Sequence, residues 1–219
     1  MKYRCVIFDC DGTLVDTLED IAGAMNASLA AHGFPAAPIE KYRDMTGWGV
    51  FKLASLALPE DVRTEETIRT VSLYTVRLME EQIEYRSRPY PGISALLAEL
   101  KAKKFSLGVL SNKSDAALRL LIDKLFGPTT FDAVYGLRPH VPPKPDPTAL
   151  WEMTMALDRI PSDTVFVGDS EIDMETARGA GCYPLGVSWG FRPRSVLEEA
   201  GAASIIDTPE EIWEIIGRK

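Results

Sequence analysis

The chain has 219 residues, 46% of them hydrophobic, and a formal charge of -8 at neutral pH. That size fits one large domain, or one domain with a smaller insert. The acidic balance argues against nucleic acid or an anionic membrane as partner, but not against an anionic small substrate, which needs only local positive charge. No apolar run approaches the roughly 18 residues of a membrane span, and no signal-peptide core follows Met1-Lys2, so a cytoplasmic protein is expected.

The stretch Val6-Ile7-Phe8 reads as a buried parallel strand and runs into Asp9-Cys10-Asp11-Gly12-Thr13. Ligands of open α/β sheets sit outside the carboxyl ends of strands. Two carboxylates there repel each other unless a cation or a proton lies between them. Alternation turns Cys10 away from its acidic neighbours. With Cys5 and Cys182 it completes an odd, scattered set that fits reduced core thiols. Asp16 or Thr17 is placed to cap a helix carrying Leu18, Ile21, Ala22, Met25 and Leu29 at helical spacing, which Gly33 and Pro35 stop near His32. Further helices are predicted over Ile39 to Met45, Val50 to Leu58 and Thr64 to about Glu84. No strand is predicted between about 16 and 88. Arg88-Pro89-Tyr90-Pro91-Gly92 reads as a stiff connector.

Beyond Gly92 the pattern alternates. Helix Ile93 to Lys103 precedes strand Phe105 to Leu110, and helix Asp115 to Phe126 precedes a short strand Ala133 to Tyr135. Helix Asp146 to Leu157 precedes strand Thr164 to Val167, and helix Ile172 to Ala180 precedes strand Tyr183 to Val187. Strand Ser204 to Ile206 and helix Glu210 to Ile216 follow. Such alternation predicts an α/β fold, a doubly wound parallel sheet with helices on both faces. The expected division is an α/β core of residues 1–15 and 89–219, with residues 16–88 a small all-helical cap inserted after the first strand. A cap so placed can overhang the strand ends as a lid.

Three later stretches carry suitable chemistry. Ser111-Asn112-Lys113 offers a hydroxyl near fresh helix N–H groups, which suits a phosphoryl oxygen or, more plainly, an ordinary helix cap. In Val141-Pro142-Pro143-Lys144-Pro145-Asp146-Pro147, Asp146 looks like the cap and Pro147 like the first helical residue. The prolines stiffen the backbone that aims Lys144. Val165-Phe166-Val167-Gly168-Asp169 again delivers a carboxylate at a strand tip, with Asp173 four residues on. Hard oxygen ligands of this kind suit Mg²⁺ beside a phosphate, although Asp173 also suits a helix N-terminus. Together they offer acids for a metal, a lysine and a hydroxyl for an anion, and a carboxylate able to take a phosphoryl group.

Asp9-Cys10-Asp11-Gly12-Thr13, Ser111, Lys144 and Gly168-Asp169 with Asp173 resemble, in order, the four motifs of the haloacid dehalogenase (HAD) superfamily. Phe8 to Asp16, Gly47-Trp48-Gly49 and Gly186-Val187-Ser188-Trp189-Gly190-Phe191 resemble more closely its phosphoglycolate phosphatase group. The resemblance implies a HAD-like Rossmannoid core and a Mg²⁺-dependent phosphatase for a small phosphorylated metabolite, with 2-phosphoglycolate as candidate. It implies Asp9 as nucleophile and metal ligand, and Asp11 as acid, then base, ligating through its backbone carbonyl. Asp169 becomes a further metal ligand, Asp173 another, directly or through water, and Ser111 and Lys144 the holders of the phosphoryl oxygens. Thr13, Asn112 and Trp48 are expected on the substrate side, with Trp48 either covering the substrate or packing within the cap. A dehalogenase would lack Asp11. A sugar-phosphate mutase would carry a cap histidine where Ile21 stands, and an arginine in the loop that here reads Gly47-Trp48-Gly49-Val50. A phosphonate-cleaving relative would need a desolvated cap lysine, which neither Lys41 nor Lys52 is marked to be. The alternatives are a pyrophosphatase or nucleotidase on the same core, or a silent phosphate-binding protein, which has no need of Asp11. A Ser-His-Asp hydrolase is disfavoured, because His32 and His140 lie near no nucleophile elbow. A monomer or homodimer is expected.

Overall fold

The computed structural model describes residues 2–81 and 86–217. Strand β1 (Cys5–Phe8) is wholly buried and lies mid-sheet, since both its neighbours are parallel partners. Its alternation divides the core. Val6 and Phe8 pack on one face with α5 (Ile93–Ala102), α6 (Asp115–Phe126) and α10 (Ile212–Ile216). Cys5 and Ile7 pack on the other with α7 (Thr148–Ala156) and α8 (Glu171–Ala180). The remaining strands are β4 (Ser106–Ser114), β5 (Ala133–Leu137), β6 (Thr164–Gly168), β7 (Tyr183–Val187) and β8 (Ser204–Ile206). They form a six-stranded parallel sheet in the order β5-β4-β1-β6-β7-β8. The order reverses at β1, and a crevice opens at such a switch point.

Several expectations shift. β4 runs on to Ser114 through an irregular register with β5, so Ser111, Asn112 and Lys113 belong to the strand and not to a helix cap. Ser114 caps α6 instead, accepting from Ala117 N at 3.3 Å. Helix α7 starts at Thr148, one residue beyond the expected Pro147. Pro147 rather than Asp146 therefore stands at the N-cap, although Asp146 Oδ1 accepts from Thr148 N at 2.9 Å. Helix α9 (Arg194–Glu199) went unpredicted, since its six residues bury only Leu197 and leave no periodic signal.

Residues after the first strand form α1 (Leu18–Ala31), α2 (Ile39–Met45), α3 (Val50–Ala57) and α4 (Glu65–Glu81), around a hydrophobic cluster of their own. The expected end of the last helix near Glu84 lies outside the described residues. Asp16, not Thr17, supplies the acceptor at the start of α1. The two segments joining this unit to the sheet pair with each other. β2 (Val15–Asp16) lies antiparallel to β3 (Arg88–Pro89), where the sequence suggested only a connector. Two-residue strands carry no period, so this pairing is set by tertiary contact. Asp20 reinforces it, accepting from Arg86 N at 2.9 Å, Ser87 N at 2.8 Å and the Ser87 hydroxyl. Among the described residues no helix is long and apolar enough to cross a membrane.

Candidate active site

Asp9 continues β1 by one residue, donating its backbone N–H to Val167 O at 2.8 Å. The chain then turns tightly, with Leu14 N and Val15 N both donating to Cys10 O at 3.0 Å. Gly12 sits in this turn at φ +85°, and a Cβ there would lie 2.3 Å from Asp169 Oδ2. Only glycine satisfies both the backbone angle and the approach.

Asp169 follows β6 beside this turn. It accepts from Thr13 Oγ1 at 3.0 Å and from Phe191 N at 2.7 Å, one bond to each oxygen. Asp173, in the first turn of α8, accepts at Oδ2 from Ser170 N at 3.1 Å and Ser170 Oγ at 2.6 Å. It is therefore a helix-terminus residue and a cluster residue at once. Its other oxygen meets Lys144 Nζ at 2.7 Å, and the same ammonium lies 2.9 Å from Asp9 Oδ1 and 3.1 Å from Leu110 O. Carboxylate oxygens of Asp9, Asp169 and Asp173 can all lie within 4.8 Å of one another, and all three residues are buried.

Three buried carboxylates thus face one buried ammonium. Burial pushes the Asp9 carboxyl well above its ordinary range. Lys144 opposes the shift, while Asp173, Asp169 and Asp11 add to it. Burial and the neighbouring Asp173 raise Asp169 to about 7, against the hydrogen bonds from Phe191 and Thr13. Burial alone would lower Lys144, but Asp173 and Asp9 more than offset it and hold the ammonium charged. Asp9 Oδ1 is a buried oxygen without a well-aligned hydrogen bond, although Lys144 is close enough for charge attraction. An under-satisfied oxygen among hard oxygen donors, in a cluster short of positive charge, fits a divalent cation.

Asp11 is separate from the cluster. Its carboxylate pairs with Lys113 Nζ at 2.8 Å. Burial lowers and Asp11 raises the lysine pKa, with a net rise. Ser111 is buried, and its Oγ accepts from Lys113 N at 3.3 Å. A cavity opens here. Asp9, Asp11, Ser111 and Lys113 line its floor, and Ile21, Val50, Leu53, Val76 and Met79 line the opposite wall.

The expected site residues therefore separate. Asp9, Asp11, Ser111, Lys144, Asp169 and Asp173 converge on the strand ends. Thr13 is fully buried and donates from Oγ1 to Asp169 Oδ1. Asn112 lines the cavity, and its amide bonds Lys144 N, Lys144 O and Gly47 O. Trp48 is 41% exposed and does not line the cavity, although Gly47 and Gly49 beside it do.

Sequence reasoning missed three contributors. Lys113 lies two residues beyond Ser111, and strand alternation could have placed both on one side. The loop Gly190-Phe191-Arg192 supplies the Phe191 N–H to Asp169. Arg192 donates to the carbonyls of Arg43 and Thr46, while Arg43 Nη1 donates to Gly190 O at 3.0 Å. Gly190 shares the close approach of Gly12 but not its backbone angle, since a Cβ there would lie 2.2 Å from Asp169 Cβ. Ser170 is the third, and its position as N-cap was readable.

The chain is similar to known proteins over nearly its whole length. The profile of the haloacid dehalogenase-like hydrolase family matches residues 6–187. An N-acetylmuramic acid 6-phosphate phosphatase of Pseudomonas aeruginosa is 30% identical, over 100% of this chain and 96% of that protein. A phosphoglycolate phosphatase of Mesorhizobium japonicum is 31% identical, over 94% and 91%. A solved structure from Lactobacillus delbrueckii subsp. bulgaricus superposes with TM-score 0.90 at 31% identity, covering 99% of both chains. That of CbbY from Rhodobacter sphaeroides in complex with phosphate has TM-score 0.76 at 26% identity, covering 96% of both.

Proposed function

The chain belongs to the haloacid dehalogenase-like hydrolase family, and we propose that it hydrolyses a small phosphomonoester with Asp9 as nucleophile and Mg²⁺ as cofactor. The observation that carries this reading is the buried cluster of Asp9, Asp169, Asp173 and Lys144, which reaches through Asp9 into a cavity that Asp11 and Ser111 also line. Asp9, Asp169 and Asp173 would hold the cation through carboxylates, and Asp11 through its backbone carbonyl. When bound, Mg²⁺ supplies positive charge to the phosphoryl oxygens and to the crowded acids.

The chain's own groups do the rest. An Asp9 oxygen attacks phosphorus, the bond to the leaving oxygen breaks, and Asp11 gives that oxygen a proton, leaving an aspartyl-phosphate. Asp11 then takes a proton from water as the water oxygen attacks phosphorus. The Asp9–phosphorus bond breaks and phosphate departs. A group alternating in this way must be protonated in one half and ionised in the next. Lys144 and Ser111 hold phosphoryl oxygens. Thr13 and the Phe191 N–H keep Asp169 oriented. Residues 16–88 act as a lid that excludes water, hinged where β2 and β3 pair.

The leaving group is not carried over from the family, since the relatives' names point to at least two substrates. 2-Phosphoglycolate is the first candidate for the assay. The test is Mg²⁺-dependent release of phosphate from a generic aryl phosphate by wild type and Asp9→Asn. Wild type turns over and the nearly isosteric amide does not. Normal turnover by Asp9→Asn, with wild-type folding, refutes the mechanism.

A further inference from the structure

We propose that Asn112 is a positioning residue that couples closure of the helical lid to the placement of Lys144. The proposal rests on the reading of Lys144 as a holder of phosphoryl oxygens.

Asn112 is 6% exposed and lies in the extension of β4, between Ser111 and Lys113. Its amide makes three bonds. Oδ1 accepts from Lys144 N at 2.9 Å, while Nδ2 donates to Lys144 O at 2.9 Å and to Gly47 O at 3.0 Å. The amide orientation follows from its partners, since a flip would set an N–H against an N–H and an oxygen against two carbonyls. Two of the bonds grip a single residue by both its backbone groups, as a neighbouring strand would. Lys144 needs such a grip. Pro142, Pro143 and Pro145 have no N–H, so the Lys144 N–H is the sole backbone donor in residues 142–145. Its side chain then reaches Asp9 and Asp173.

The third bond leaves the core. Gly47 belongs to the turn between α2 and α3, and it lines the cavity. Arg192 holds the carbonyl of Thr46 just before it at 2.9 Å, so the turn is gripped from the core on both sides. If the helices swing away, the bonds from Asn112 to Lys144 stay within the core and the bond to Gly47 breaks. One Nδ2 hydrogen is then left without its partner, and the amide is free to turn away from Lys144. Closure restores the third bond and locks the other two. One amide therefore links the position of the lid to that of an ammonium it does not touch.

The experiment measures amide hydrogen exchange over residues 43–50, with Mg²⁺ present, with and without inorganic phosphate at a concentration saturating each protein. In wild type, phosphate slows exchange in this turn by about fivefold or more, because occupancy of the floor favours the closed state. Asn112→Ala loses this protection, and its kcat falls by about tenfold or more, since small displacements of a positioned charge are costly. A merely structural loss would reduce the active fraction and leave protection intact in the folded remainder. Asn112→Asp serves where the alanine variant folds poorly. It keeps the acceptor for Lys144 N but replaces the donors, so protection is lost while the fold stays. Glu80→Ala, which removes the contact of Glu80 with Ser114, keeps the protection. Wild-type protection and kcat in a folded Asn112→Asp overturn the coupling and leave the phosphatase reading standing. A wild type that neither turns over a phosphomonoester nor binds phosphate overturns that reading, and the coupling with it.

Discussion

Lys144→Met tests the charge balance of the site. Lys144 is 3% exposed, and its ammonium lies 2.9 Å from Asp9 Oδ1 and 2.7 Å from Asp173 Oδ1. Methionine replaces most of its stem, so little is lost by cavity formation. What remains is a cluster of carboxylates stripped of its one ammonium. Removing one partner from a buried ion pair costs about 3–5 kcal/mol. For a chain of this size each kcal/mol moves Tm by roughly 2–4 °C, so Tm should fall by about 6–20 °C. The fall should be largest near about pH 8 with a chelator present, where the acids are pressed to ionise together. It should shrink near about pH 5.5, because the raised carboxyls of Asp9 and Asp169 then take up protons. A divalent cation at about a hundred times its Kd should return about 2.7 kcal/mol. Calorimetry of wild type and variant, at both pH values and with or without Mg²⁺, reads all three effects. A Tm within about 2 °C of wild type, in chelator near about pH 8, would refute the assignment of Lys144 as the compensating charge.

Chelated wild type should itself lose stability as pH rises. Asp9 and Asp169 are raised in the folded protein, so between about pH 4 and 7 the native state binds more protons than the unfolded chain. The Asp169 contribution, from an ordinary 3.8 to about 7, amounts to roughly 4 kcal/mol, present at low pH and lost as pH rises through about 7. A flat profile of Tm against pH in chelator would contradict it, and saturating Mg²⁺ should flatten the slope. Gly12→Ala should weaken Mg²⁺ binding by about 10–100-fold, read by titration calorimetry, because the new Cβ strikes Asp169 Oδ2. Unchanged affinity would place the cation elsewhere. Val76 belongs to the apolar cavity wall, so Val76→Lys should raise the kcat/KM ratio of 2-phosphoglycolate over an uncharged alkyl phosphate by about tenfold. An unchanged ratio would mean that the leaving group does not meet this wall.

The alternation of helix and strand after Gly92 was legible because hydrophobic period belongs to contiguous residues. The apolar runs ending at Asp9 and Asp169 announced strands with carboxylates at their tips, and the prolines around Lys144 announced a stiffened loop. Helix α9 and the β2–β3 pair were too short to carry a period. The extension of β4 through Ser111 depends on pairing with β5, which local residues do not encode.

At the site, the sequence by itself determined which residue types are present and which ends of strands deliver them. The tertiary structure decided what each one faces. Thr13 and Asn112 were both assigned to substrate, and Asn112 does line the cavity, but the sequence named no protein partner for either. Thr13 turns to Asp169, 156 residues away, and Asn112 to Lys144 and Gly47, 32 and 65 residues away. Trp48, between Gly47 and Gly49, is left 41% exposed. A buried donor or acceptor takes the nearest partner that satisfies it, and nearness across such separations exists only once the chain has folded.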